Sequence, residues 1–128
     1  MVAQAAIPAA NRLVLVVDDD SAVRNSLKFS LEVEGFAVRD YSSANELLRE
    51  SEIADAGCLV IDYHLPEMNG LEMLHRLRER RFAAPAILIT SHPNPSVRQR
   101  AAEAGVPIVE KPLLGDALME GIRNAFPQ

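Results

Sequence analysis

Cysteine occurs once in the 128 residues, at Cys58, so no internal disulfide can form and no thiolate metal spacing exists. Cys58 lies in an apolar run, where a buried inert thiol is expected. Cations are also short. Thirteen Lys and Arg against 18 Asp and Glu leave a net charge of −5, which argues against a nucleic-acid surface built from clustered phosphate contacts. No apolar stretch approaches membrane-spanning length. Residues Met1 to Asn11 hold no charged side chain and so lack the basic start of a secretory signal. They read as a flexible N-terminal leader excluded from the fold, with residues 12–128 forming one cytoplasmic domain. The chain is long enough to bury a core without staples.

What is present is an alternation. Leu13 to Val17 is a continuous β-favouring apolar run, as expected of a strand covered on both faces. Asp18-Asp19-Asp20-Ser21 follows, with Ser21 a candidate cap for a helix carrying Val23, Leu27, Phe29, Leu31 and Val33 and stopped by Gly35. Ala37 to Tyr41 reads as a more polar strand near a sheet edge. Ser43 and Glu46 have capping-box spacing ahead of Leu47 and Leu48. Cys58 to Ile61 is a third strand, delivering Asp62 at its end. Gly70 to Arg81 is helical, with Leu71, Leu74 and Leu77 on one face. Ala86 to Ile89 is a fourth strand ending at Thr90, and Ser96 opens a helix closed by Gly105. Val106 to Val109 is a fifth strand ending at Glu110-Lys111-Pro112, and Gly115 to Ala125 a fifth helix. Five strands alternating with five helices imply an α/β fold, a parallel sheet with right-handed crossovers and helices on both faces.

In such a sheet, chemistry sits outside the carboxyl ends of the strands. Those ends carry Asp18 and Asp19, Asp62, Thr90 and Lys111. Converging carboxylates repel unless a cation lies between them, and a hard divalent ion such as Mg²⁺ or Mn²⁺ takes oxygen ligands. A lysine and a threonine hydroxyl suit a phosphoryl group. The implied chemistry is attack by a carboxylate on phosphorus, with metal and lysine neutralising the developing charge. Singly, each residue has a plain reading: Asp18 and Asp19 suit a helix N-terminus, Thr90 a strand end, Lys111 a solvated loop. Their common placement is harder to assign to chance.

The motifs Val16-Val-Asp-Asp19, Val60-Ile-Asp62-Tyr-His-Leu-Pro66, Met68-Asn-Gly70, Leu88-Ile-Thr90-Ser91 and Glu110-Lys-Pro112 resemble, in this order and spacing, the CheY-like receiver domain of two-component response regulators. The resemblance spans Leu13 to Phe126. It implies a flavodoxin-like doubly wound sheet with strand order 2-1-3-4-5 and a signalling switch rather than an enzyme, capable at most of Mg²⁺-dependent self-phosphorylation and autodephosphorylation. Asp62 would be the phosphoacceptor, loaded by a sensor histidine kinase or phosphotransfer protein. Asp18, Asp19, Asp62 and the carbonyl of His64 would hold the metal. Lys111 would bind the phosphoryl group and Thr90 would move to it. The Lys111–Pro112 peptide would be cis. Glu67 and His64 are candidates for tuning phosphoryl lifetime. Output would run through the fourth helix, fifth strand and fifth helix, roughly Ser96 to Phe126, to a partner, a homodimer or an effector domain absent from these residues.

Two positions depart from that pattern. Receivers often carry Tyr or Phe three residues before the lysine, where this chain has Ile108, which cannot supply a ring that swings between two positions. His92 stands where a small residue is common; it is either an exposed loop histidine or a group covering the acyl phosphate. Pro93 and Pro95 restrict the loop around it. Three other readings compete: a receiver that binds partners without phosphorylation, an Asp-nucleophile phosphatase, and a flavin-binding sheet protein. The phosphatase reading is poor because His64 stands where a second acid belongs. The flavin reading is poorer because no phosphate loop follows Val17.

Overall fold

The computed structural model describes residues 12–50, 53, 55–113 and 115–126; the expected leader lies outside the described residues. Ten elements alternate in order: β1 (Leu13–Val17), α1 (Ser21–Val33), β2 (Ala37–Tyr41), α2 (Ala44–Leu48), β3 (Cys58–Asp62), α3 (Gly70–Glu79), β4 (Ala86–Thr90), α4 (Pro95–Glu103), β5 (Ile108–Glu110) and α5 (Ala117–Ala125). All pairings are parallel and the sheet order is β2-β1-β3-β4-β5. The polar β2 is an edge strand, as its sequence implies.

The period-2 pleat sorts the continuous apolar strands into two cores. Leu13, Leu15 and Val17 of β1, with Leu59 and Ile61 of β3, face Leu47, Met73, Leu77, Val97 and Ala101 of α2, α3 and α4. Val14 and Val16, with Cys58 and Val60, face Leu31 of α1 and Leu118, Ile122 and Phe126 of α5 and its end. β1, β3 and β4 are buried at every position, which is why they read as unbroken apolar runs.

Several boundaries differ from the sequence reading. Ser21 is the first helical residue of α1, and Asp20 is the cap, its Oδ1 accepting from Ala22 N and Val23 N. Of the apolar residues of α1, Phe29 and Val33 are 71% and 68% exposed because they lie opposite the face of Leu27 and Leu31. Ser43 caps α2, but Glu46 reaches Ser42 N and Ser42 Oγ rather than the cap residue. α3 has the complete capping box, between Asn69 and Glu72. α4 begins at Pro95, capped by Asn94. β5 starts two residues later than expected because Val106 belongs to the closure of α4, donating to Ala101 O. α5 begins at Ala117 rather than Gly115.

Three helices end in one motif. Gly35, Arg81 and Gly105 take left-handed φ of 96°, 66° and 71°. The next residue in each case, Phe36, Phe82 or Val106, donates back to Leu31 O, Leu77 O or Ala101 O and is buried with that partner.

Candidate functional site

The carboxyl edge of the sheet gathers the residues singled out above. Asp18 leaves β1 with its amide donating to Tyr41 O of β2 at 3.1 Å. Its side chain is fully buried; Oδ1 accepts from Asp20 N at 2.9 Å. Asp62 ends β3, also buried, its Oδ1 accepting from His64 N at 3.1 Å. Asp19 is exposed beside them, and oxygens of Asp18, Asp19 and Asp62 lie within 4.8 Å of one another. Lys111 follows β5; its amide donates to Thr90 O at 2.9 Å, and its Nζ donates to Asp62 Oδ2 at 3.0 Å and sits 3.0 Å from Asp18 Oδ2. The Lys111–Pro112 peptide is cis.

Electrostatically the site is strained toward a further cation. Burial lifts the Asp18 carboxyl above its usual range, opposed by hydrogen bonds from Asp20 N and Lys111. Burial also works against charge on Lys111, but the two carboxylates outweigh it and raise its pKa. One ammonium faces three carboxylates. An all-oxygen, anionic cluster of this size is the donor set a hard divalent ion takes, so Mg²⁺ chemistry fits the residues present. Thr90 Oγ1 is buried and finds no hydrogen-bond partner among the described residues. A buried hydroxyl left without a partner is costly and is positioned to receive one.

Other residues contribute in ways the sequence did not show. Arg24 of α1 pairs with Asp40 of β2 at 3.0 Å and donates to Asp18 O at 2.7 Å, fixing the acidic turn. The signal available was a cation placed between Val23 and Leu27 on the inward face. Gly70 lies against the acceptor strand: a Cβ there would stand 2.6 Å from Asp62 O. Tyr63 OH accepts from Arg100 of α4 at 2.7 Å, a contact with no local sequence signature.

Of the tuning candidates, His64 is exposed with its ring edge-on to Tyr63, centroids 5.0 Å apart, and Glu67 is exposed in the same loop. His92 is exposed and lines a groove of about 680 Å³ with Lys111, Pro112, Val23 and Leu27. Ile108 is half-buried against the α2–α3–α4 core.

Residues 14–123 match the family model of the response regulator receiver domain. The chain belongs to the receiver-domain family of two-component response regulators. This receiver domain is 37% identical over 113 residues to the transcriptional regulatory protein FixJ of Rhizobium meliloti, covering 88% of this chain and 55% of that protein. It is 32% identical over 115 residues to the response regulator TodT of Pseudomonas putida, covering 89% of this chain and 51% of TodT. The chain thus spans about half the length of these relatives. Among solved structures, FixJ-N shares 34% identity at a TM-score of 0.76, covering 89% of this chain and 92% of that one. A CheY-like receiver from Methanospirillum hungatei shares 29% at 0.78, covering 88% and 91%. The sheet order matches the flavodoxin-like expectation. No described helix is long and apolar enough to cross a membrane.

Proposed function

We propose that residues 12–128 form a phosphorylation-controlled switch in which Asp62 accepts a phosphoryl group from a sensor histidine kinase or phosphotransfer protein. The observation that carries this is the buried Asp62 carboxylate, 3.0 Å from Lys111 Nζ, at the same sheet edge as a buried Thr90 hydroxyl that has no hydrogen-bond partner among the described residues. An Asp62 oxygen attacks phosphorus, the P–N bond of the donor phosphohistidine breaks, and the imidazole leaves. Lys111 donates to the oxygens that arrive, and Thr90 Oγ1 gains the acceptor it lacks. A divalent ion held by Asp18, Asp19, Asp62 and the His64 carbonyl would neutralise phosphoryl oxygens as charge shifts. Water would then hydrolyse the acyl phosphate and regenerate Asp62, with His64, Glu67 and His92 the candidates for tuning how fast. Readout is a changed α4–β5–α5 surface, through a homodimer, a partner or an effector domain, rather than a released product.

Intact mass after incubation with acetyl phosphate tests this, with and without Mg²⁺, beside Asp62→Asn. Gain of one phosphoryl group that needs both Mg²⁺ and Asp62 is expected. No gain under any condition would replace this reading with a receiver that signals by binding alone.

A further inference from the structure

α4 is thinly held. Among its described residues only Val97 and Ala101 are buried, whereas α3 buries Met73, Leu74 and Leu77. Polar ties supplement that small apolar face: Arg98 to Glu110 of β5 at 2.6 Å, and Arg100 to Tyr63. The second tie ends beside the acceptor. Tyr63 follows Asp62 directly, and its backbone is clamped on both sides, N–H to Ile89 O at 2.9 Å and C=O from Gly70 N at 2.8 Å. Its backbone is thereby fixed to the β3–β4–α3 seam, and its partly buried side chain packs against the adjoining core. The Arg100 guanidinium donates to the hydroxyl at 2.7 Å and lies 6.0 Å from the ring centroid.

We infer that Tyr63 and Arg100 are a positioning pair that holds α4 in its unphosphorylated place and sets how readily the switch turns. The inference rests on the reading of Asp62 as acceptor. Thr90 ends β4, and only residues 91–94 separate it from α4. A pull on Thr90 toward a phosphoryl group is transmitted through that short, proline-stiffened loop to α4. Tyr63 cannot follow, because its backbone is clamped to β4 and α3. The Arg100 hydrogen bond is therefore what must break or re-form as α4 moves. Ile108 has no polar atom with which to offer a substitute tie. The energetic reach is modest, since a hydrogen bond of ordinary net strength shifts a two-state equilibrium about two- to tenfold.

The test uses Tyr63→Phe, Arg100→Met, the double variant and Arg100→Lys. Amide hydrogen exchange across residues 95–103 is followed in the unphosphorylated protein, and the rate of phosphorylation by acetyl phosphate is followed by intact mass. Each single variant should speed exchange in α4 and phosphorylation about two- to tenfold, without changing exchange in α5. The double variant should do no more than either single, and Arg100→Lys should recover part of the loss because an ammonium can still donate to the hydroxyl. Unchanged α4 exchange in both single variants, or effects that add in the double variant, would overturn the pairing. If the parent protein takes up no phosphoryl group, the acceptor reading fails by itself, and the exchange arm still decides whether the pair holds α4.

Discussion

At Asp18 the fold bears a charge it would rather not hold. A carboxyl whose folded pKa lies above its unfolded value contributes stability while protonated; that stability is complete below the unfolded value and is lost as pH rises through the raised one. Whenever it is ionised, Asp18 is thus a cost, offset in part by Lys111 at 3.0 Å. Asp18→Asn should raise the melting temperature of the metal-free protein at pH 7, by roughly 4 °C per kcal/mol recovered, and should reduce the further rise on adding Mg²⁺. Thermal scans at pH 5 and pH 7, with and without Mg²⁺, check both signs; a fall in the metal-free value would contradict the cost assigned to Asp18. Gly70 is the converse case, a residue whose side chain must be absent. Its Cβ would meet the backbone oxygen of Asp62 at 2.6 Å, and backbone cannot swing aside. Gly70→Ala should cost about 1–3 kcal/mol, read as a lower urea midpoint, and slow phosphorylation by displacing the acceptor. The acids, the threonine and the lysine were legible in the sequence because strand ends mark themselves by a change from apolar to polar. Arg24 and the Tyr63–Arg100 contact were not, since their partners lie far along the chain, and Gly70 was legible as a motif residue but not for its contact with Asp62.

Among the elements, the strands were read well and the helix ends less well, for a physical reason. A buried parallel strand must be apolar throughout, so its limits show in composition. A helix start within Asp18-Asp19-Asp20-Ser21 offers four possible caps; Asp20 takes the role, while the Asp18 carboxylate is buried beside Lys111. The helix ends follow a shared rule with one exception. Two of the three left-handed closing positions are glycine, and the third is Arg81. An L-residue there meets its own Cβ crowding, so Arg81→Gly should stabilise the protein by about 1 kcal/mol. A melting temperature that drops instead would mean that the Arg81 side chain contributes more than its backbone costs.

For the whole molecule, the sheet separates two cores that share no side chains, and the site sits at the rim where both end. Occupying that rim with Mg²⁺ should therefore stabilise the entire domain as one unit, by about 2.7 kcal/mol at a hundredfold excess over the dissociation constant. A single shifted unfolding transition is the expected trace; a split transition would show that the two cores respond separately. The pairing pattern also governs assembly. No strand pairs with a neighbour across a tight turn: Leu13 meets Ala37, Val14 meets Cys58, and Leu59 meets Ala86. Long loops must close before the sheet rewards them, which makes such topologies slow to fold. During synthesis β1 and β2 emerge first, and the inner edge of β1 waits, apolar and unpaired, until β3 arrives. β3 carries Asp62 at its tip, so the strand that shuts the middle of the sheet also brings the acceptor to the rim. A nascent chain cut short of it has neither a sealed interior nor a place to receive a signal.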